Sequence, residues 1–192
     1  MLALDAAAAL VLGILAVLLA RRRDPALVWS ALGLAWSVVV IGSVTLIPAN
    51  GAPGIVSAEG RLTTCSWDIG GPAPDGFWIF ASGQRLLNTV LFVPSGALVA
   101  LLAGAVGRRW PRSRVVLPAG VLLGLAALAV YSAGIEFTQL ELARLDRACD
   151  VTDVVDNTTG AALGGVLGSL VVGTLGAVGR VRRPRGRARV GP

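Results

Sequence analysis

The sequence contains no histidine and no lysine; all 17 of its basic residues are arginine. Without histidine the usual general base and the commonest metal ligand are missing, so a Ser-His-Asp triad and a His-based zinc site are excluded. Acid–base chemistry would have to run on carboxylates or arginine. Charge is scarce as well: charged residues are 15% of the 192 positions, aromatic residues 5%, and there are two cysteines. With 55% hydrophobic residues and a mean hydropathy of +0.75, a soluble fold would lack the polar surface it needs. The dominance of Ala, Gly, Val, Leu and Arg points to a GC-rich bacterial source.

What is present is a series of apolar blocks of about 20 residues, the length at which a helix crosses hydrocarbon. They run over 2–20, 26–47, 86–106, 115–135 and 158–178. The expected fold is an all-α membrane protein, a five-helix transmembrane bundle with a long outer loop over 48–85 between spans two and three. Residues 1–179 form one transmembrane domain, and 180–192 form a basic cytoplasmic tail whose Arg, Gly and Pro content predicts disorder.

The sequence pI of about 11.1 would suit nucleic acid, but the arginines flank apolar spans instead of lining a soluble face, so no nucleic-acid partner is assigned. Thirteen of them (Arg21, Arg22, Arg23, Arg108, Arg109, Arg112, Arg114, Arg180, Arg182, Arg183, Arg185, Arg187 and Arg189) fall on one side of the alternating spans, and Arg61, Arg85, Arg144 and Arg147 on the other. The positive-inside bias then puts the amino terminus outside and the carboxyl terminus in the cytoplasm of a bacterial inner membrane. The first span is followed, not preceded, by its arginines, which reads as a resident helix and not as a cleaved signal.

Under that topology three helix ends bring polar groups to the outer face. Span three begins with Gln84, Arg85, Asn88 and Thr89; span four continues as helix to Glu136 and Gln139, whose three-residue spacing puts them on one face; and Asn157 leads into span five. A carboxylate near the apolar boundary is costly unless paired, and Arg85 is a counter-ion for Glu136, with Arg144 and Arg147 as competitors. A structural ion pair and a ligand-facing carboxylate both fit that pattern. Asp150, Asp153 and Asp156 recur at three-residue intervals before span five, suiting a cation, an Arg partner or the positive end of the next helix. The spacing is not that of an EF-hand, and no metal and no cofactor are assigned.

Pro94 inside span three removes a backbone hydrogen bond and predicts a kink near the polar cluster. Small residues recur every four positions in span five, on one stripe with Gly160, Gly164 and Gly168 and on another with Gly165, Ser169, Gly173 and Ala177. Gly96, Ala100 and Gly104 do the same in span three. The pattern allows close helix approach and fits packing inside the bundle better than dimerisation; it leaves the oligomeric state open. Cys65 and Cys149 both fall on the outer, oxidising side, which makes them a candidate disulfide closing the loop over the polar cluster. Phe77, Trp78 and Phe80 of that loop suit headgroup-level anchoring.

The run from Asn88 to Gly96 resembles the N-x-x-x-F-x-P-x-G element of VanZ-like proteins. Glu136 with Gln139, then Arg147, Asp150 and Asp153, then Asn157-Thr158-Thr159-Gly160 with Gly164, are similar to that family's E-x-x-Q, R-x-x-D-x-x-D and N-T-x-G elements in order and spacing. The resemblance covers 37–168. Asp156 and Cys149 depart from it, each standing where the family usually has an apolar or aromatic residue. It implies a bacterial envelope protein associated with resistance to the lipoglycopeptide teicoplanin. Two functions follow as expectations. The first is an outer polar pocket for a lipid headgroup or lipid-linked ligand, lined by Arg85, Asn88, Glu136, Gln139, Arg147, Asp150, Asp153 and Asn157, with Pro94, Gly96, Gly160 and Gly164 structural. The alternative is a membrane enzyme on a polyprenyl-phosphate-type lipid using Glu136 or Asp153 as base and Arg85 or Arg147 to stabilise charge.

Overall fold

A computed structural model of the chain describes residues 2–46, 64–67, 83–110, 115–141 and 149–181. Five helices follow one another: α1 (Leu2–Ala20), α2 (Pro25–Leu46), α3 (Gly83–Gly107), α4 (Val116–Glu141) and α5 (Val151–Val181). Among the described residues extended pairing is confined to an isolated parallel bridge between Ser66 and Asp150. α2 to α5 are each long and apolar enough to cross a membrane. The apolar part of α1, Asp5–Ala20, gives only about 24 Å of helix at the standard rise, short of about 30 Å of hydrocarbon. The expectation of five crossings is thus met by length and composition in four. Most of the 48–85 loop, including Phe77, Trp78 and Phe80, and the tail beyond Val181 lie outside the described residues.

The helices pack inside out relative to a soluble bundle. Leu122, Leu123, Val130, Leu170 and Leu175 face outward, whereas Ser37, Ser95, Ser132, Thr89, Asp156 and Asn157 are buried. Apolar solvent outside and hydrogen-bonded polar groups inside is the arrangement a bilayer rewards. Ser37 and Ser95 join α2 to α3 through a 2.6 Å hydroxyl contact, and the Tyr131 hydroxyl donates to the Val38 carbonyl at 2.8 Å.

α3 and α5 form the tightest pair, and glycine is the reason. A Cβ on Gly160 would run into the Thr89 carbonyl, one on Gly164 into that of Val93, and one on Gly96 into that of Ala161. The two backbones therefore touch with no side chain between them. Of the two small-residue stripes on α5, the one carrying Gly160, Gly164 and Gly168 meets α3; Gly165 meets Leu125 and Val121 of α4 as well as Gly96, and Gly173 has open space. α3 stays one helix across Pro94, whose ring side is exposed while Ser95 and Gly96 are buried.

Local chemistry sets the helix starts. Asp24 caps α2, its Oδ1 accepting the Ala26 N–H at 2.9 Å, with Pro25 at the first helical position. Its other oxygen lies 3.4 Å from Arg108, so the Arg21–Arg23 turn and the Arg108 turn share one end of the bundle. Desolvation opposes ionisation of Asp24, but the Ala26 and Leu27 amides and the Arg108 charge outweigh it and hold the carboxyl below its usual range. α5 starts seven residues earlier than the hydropathy predicts, because Asp150 caps it: Asp150 Oδ1 accepts the Thr152 N–H at 2.8 Å. At 31 residues, α5 is about 46 Å long and exceeds the hydrocarbon thickness, leaving its first turns at the polar end.

Candidate functional site

The end of the bundle opposite the Arg108–Asp24 pair collects the first turns of α3 and α5 and the last turns of α2 and α4. Arg85 lies in the first turn of α3, and its fork closes on Asp156 of α5, Nε to Oδ2 at 2.8 Å and Nη2 to Oδ1 at 2.9 Å. Asp156 is fully buried and the Arg85 side chain is 11% exposed. Bidentate geometry of this kind is the strongest arrangement open to an Arg–carboxylate pair. The expected Arg85–Glu136 pair is not the one formed. Three acidic residues at three-residue spacing sample three directions around a helix, and the one facing α3 at the depth of Arg85 is Asp156.

Glu136 is buried, and its Oε2 accepts the Asp150 backbone N–H at 3.1 Å, tying the end of α4 to the cap of α5. Gln139 is also buried, but its amide donates to the Thr45 carbonyl of α2 at 3.1 Å. The two residues expected to address one partner thus address two, since a three-residue step leaves about 60° between them around the helix. Asn157 donates to Ser132 Oγ at 2.9 Å, linking α5 to α4. Among the described residues its buried Oδ1 has no donor and the buried Asn88 Nδ2 no acceptor. The Gln84 and Asn88 amides face Asp153 across the α3–α5 contact, though Asn88 Nδ2 stops short of hydrogen-bonding geometry. Arg147 and Arg144 lie outside the described residues. Among the described residues no group of three Asp, Glu or Cys side chains converges as a metal ligand set.

Cys65 and Cys149 form a disulfide with Cα atoms 4.6 Å apart. The Ser66 N–H donates to the Cys149 carbonyl at 2.9 Å and the Val151 N–H to the Ser66 carbonyl at 3.1 Å. These bonds hold the loop segment onto the residues that cap α5, next to Glu136. Sequence reasoning passed over Asp156 as a site residue; the signal was Arg85 at matching depth with an acidic triplet on the facing helix. Ser132 and the Ser37–Ser95 contact carried no motif and are visible only as hydroxyls within apolar spans.

A family model described as VanZ/LLP1 matches residues 10–172. The chain belongs to the VanZ/LLP1 family. The match begins well before the 37–168 core suggested by the motifs, so it takes in most of α1 and all of α2 to α4, as well as α5 as far as Val172. Arg85, Asn88, Glu136, Gln139, Asp150, Asp153, Asp156 and Asn157 all fall inside the VanZ/LLP1 region. No curated protein and no solved structure matches the chain.

Proposed function

We propose that this VanZ/LLP1 protein sits in the bacterial cytoplasmic membrane with its amino terminus and disulfide-bearing end outside and its carboxyl terminus in the cytoplasm, where that outer end engages a lipid headgroup or lipid-linked ligand. The observation that carries the reading is a charged and amide-rich cluster sunk among apolar spans, in which two buried amide atoms lack partners among the described residues. Ionisable groups at such depth are a functional hypothesis by default. Orientation rests on two independent features: arginine-rich turns at one end and a disulfide, which needs an oxidising compartment, at the other. The resemblance to VanZ-like proteins supports a role in susceptibility to teicoplanin-type antibiotics.

Binding is favoured over the enzymatic alternative because two of the four groups named for catalysis are already engaged. Arg85 is closed on Asp156 and Glu136 on the α5 cap. The test is native mass spectrometry of the purified protein for co-purified lipid, repeated on Glu136→Gln and Arg147→Ala. Retained lipid in the wild type and depleted lipid in the variants is the expected result. An unchanged lipid profile in both variants overturns the assignment.

A further inference from the structure

The groove between α1 and α2 lies away from the polar end and has no part in the proposed headgroup site. α1 packs mainly on α2. Ala9, Gly13 and Ala16 of α1 face Trp29, Gly33 and Trp36 of α2 across a space of about 180 Å³. A second space of about 440 Å³ shares Ala9, Gly13 and Trp29 with it and extends along α1 to Val17 and Leu18. That volume lies within the range of about 300–1,000 Å³ typical of ligand pockets. Gly13 marks the difference from the α3–α5 contact: a Cβ there would meet nothing within 4 Å, whereas one on Gly160 or Gly164 would enter the α3 backbone. The small residues of α1 thus leave room instead of bringing backbones together.

Every side chain around both spaces is apolar, so hydrocarbon is what fits them. Ala9 to Leu18 spans about 14 Å of helix, close to the roughly 15 Å of one leaflet. Trp29 lies one turn into α2, where an interfacial tryptophan is ordinary. Trp36 stands about 16 Å along the helix from Pro25, near the middle of the hydrocarbon, and is still 42% exposed. The interface does not account for it; a wall of this groove does. The mouth of the groove carries charge. Arg21, Arg22 and Arg23 connect the same two helices and are exposed. In the turns 21–24 and 108–114 seven arginines stand against one carboxylate, Asp24, which already serves the α2 cap and Arg108.

We propose that this groove binds an anionic phospholipid, with one acyl chain lying between α1 and α2 along Trp36 and the phosphate held at the Arg21–Arg23 turn. Guanidinium forks match phosphate geometry, and basic sites beside membrane helices select acidic headgroups. A second copy of the chain inserted the same way would set its own arginines against these, and like charges oppose that contact. The site stands at the opposite end of the bundle from the disulfide. It is therefore independent of the headgroup site proposed there and of which end faces the cytoplasm.

The test reconstitutes the full chain in phosphatidylethanolamine vesicles containing a minor fraction of phosphatidylglycerol, with the acyl chains of one lipid or the other brominated. Quenching at Trp36 is read as the difference between the wild type and Trp36→Phe. Brominated phosphatidylglycerol is expected to quench beyond its share of the bilayer, with a preference of about fivefold or more for each arginine engaged, and high salt should weaken that preference. Gly13→Leu, which fills open space, and the double variant Arg22→Gln with Arg23→Gln should each bring quenching down to the bilayer share. Wild-type quenching in proportion to each lipid's share means annular lipid only and overturns the proposal. Quenching by neither lipid gives the groove to a second copy or another protein and also overturns it. A preference for phosphatidylglycerol that survives Gly13→Leu leaves the arginines attracting lipid without the groove, with the same consequence. The wild-type comparison decides the matter even where a variant fails to fold.

Discussion

Neutralising Asp156 is the sharpest perturbation the polar end offers. Asp156→Asn keeps the size of the side chain and removes the charge on which the Arg85 fork closes. Because Asp156 is fully buried and Arg85 is 11% exposed, solvent screening does little to soften the loss. Breaking a buried pair by removing one partner costs about 3–5 kcal/mol, or about two to nearly four orders of magnitude in the folded-to-unfolded ratio. Replacing both residues, as in Arg85→Leu with Asp156→Leu, removes the stranded charge and should recover most of that loss. The assay is equilibrium unfolding in mixed micelles of mild detergent and dodecyl sulfate, followed by tryptophan fluorescence and run as a double-mutant cycle. Since individual helices persist in such micelles, the cycle reports the α3–α5 interaction more than helix formation. Additive effects of the two single variants, each under about 0.5 kcal/mol, would refute the claim that this pair holds α3 to α5.

Two further outcomes follow from the same geometry. Gly160→Ala drives a methyl group into the Thr89 backbone and should destabilise by about 1–3 kcal/mol, whereas Gly173→Ala, with open space around it, should be neutral or stabilise by up to about 1 kcal/mol through helix propensity; equal thermal midpoints for the two variants would contradict the backbone contact. A cysteine at exposed Gly83 should react with a membrane-impermeant maleimide on intact spheroplasts, and one at exposed Arg109 only after permeabilisation; the reverse pattern inverts the proposed orientation.

Helix number and approximate position were legible from the chain alone, because the length of an apolar run is a local property and hydrocarbon thickness is a fixed ruler. The same holds for the arginine bias and for the parity of Cys65 and Cys149, which identified the right pair before any distance was known. Boundaries failed where polar residues belong to a helix: Asp153, Asp156 and Asn157 read as a connection, yet Asp150 caps them into the first turns of α5. Which carboxylate meets Arg85, which way Glu136 and Gln139 diverge, and which glycine stripe faces α3 were decided only by the tertiary structure. Each depends on the rotation and depth of one helix against another, and those are set by backbone contact at Gly96, Gly160 and Gly164. Spacing along a single helix carries no record of where its neighbour stands.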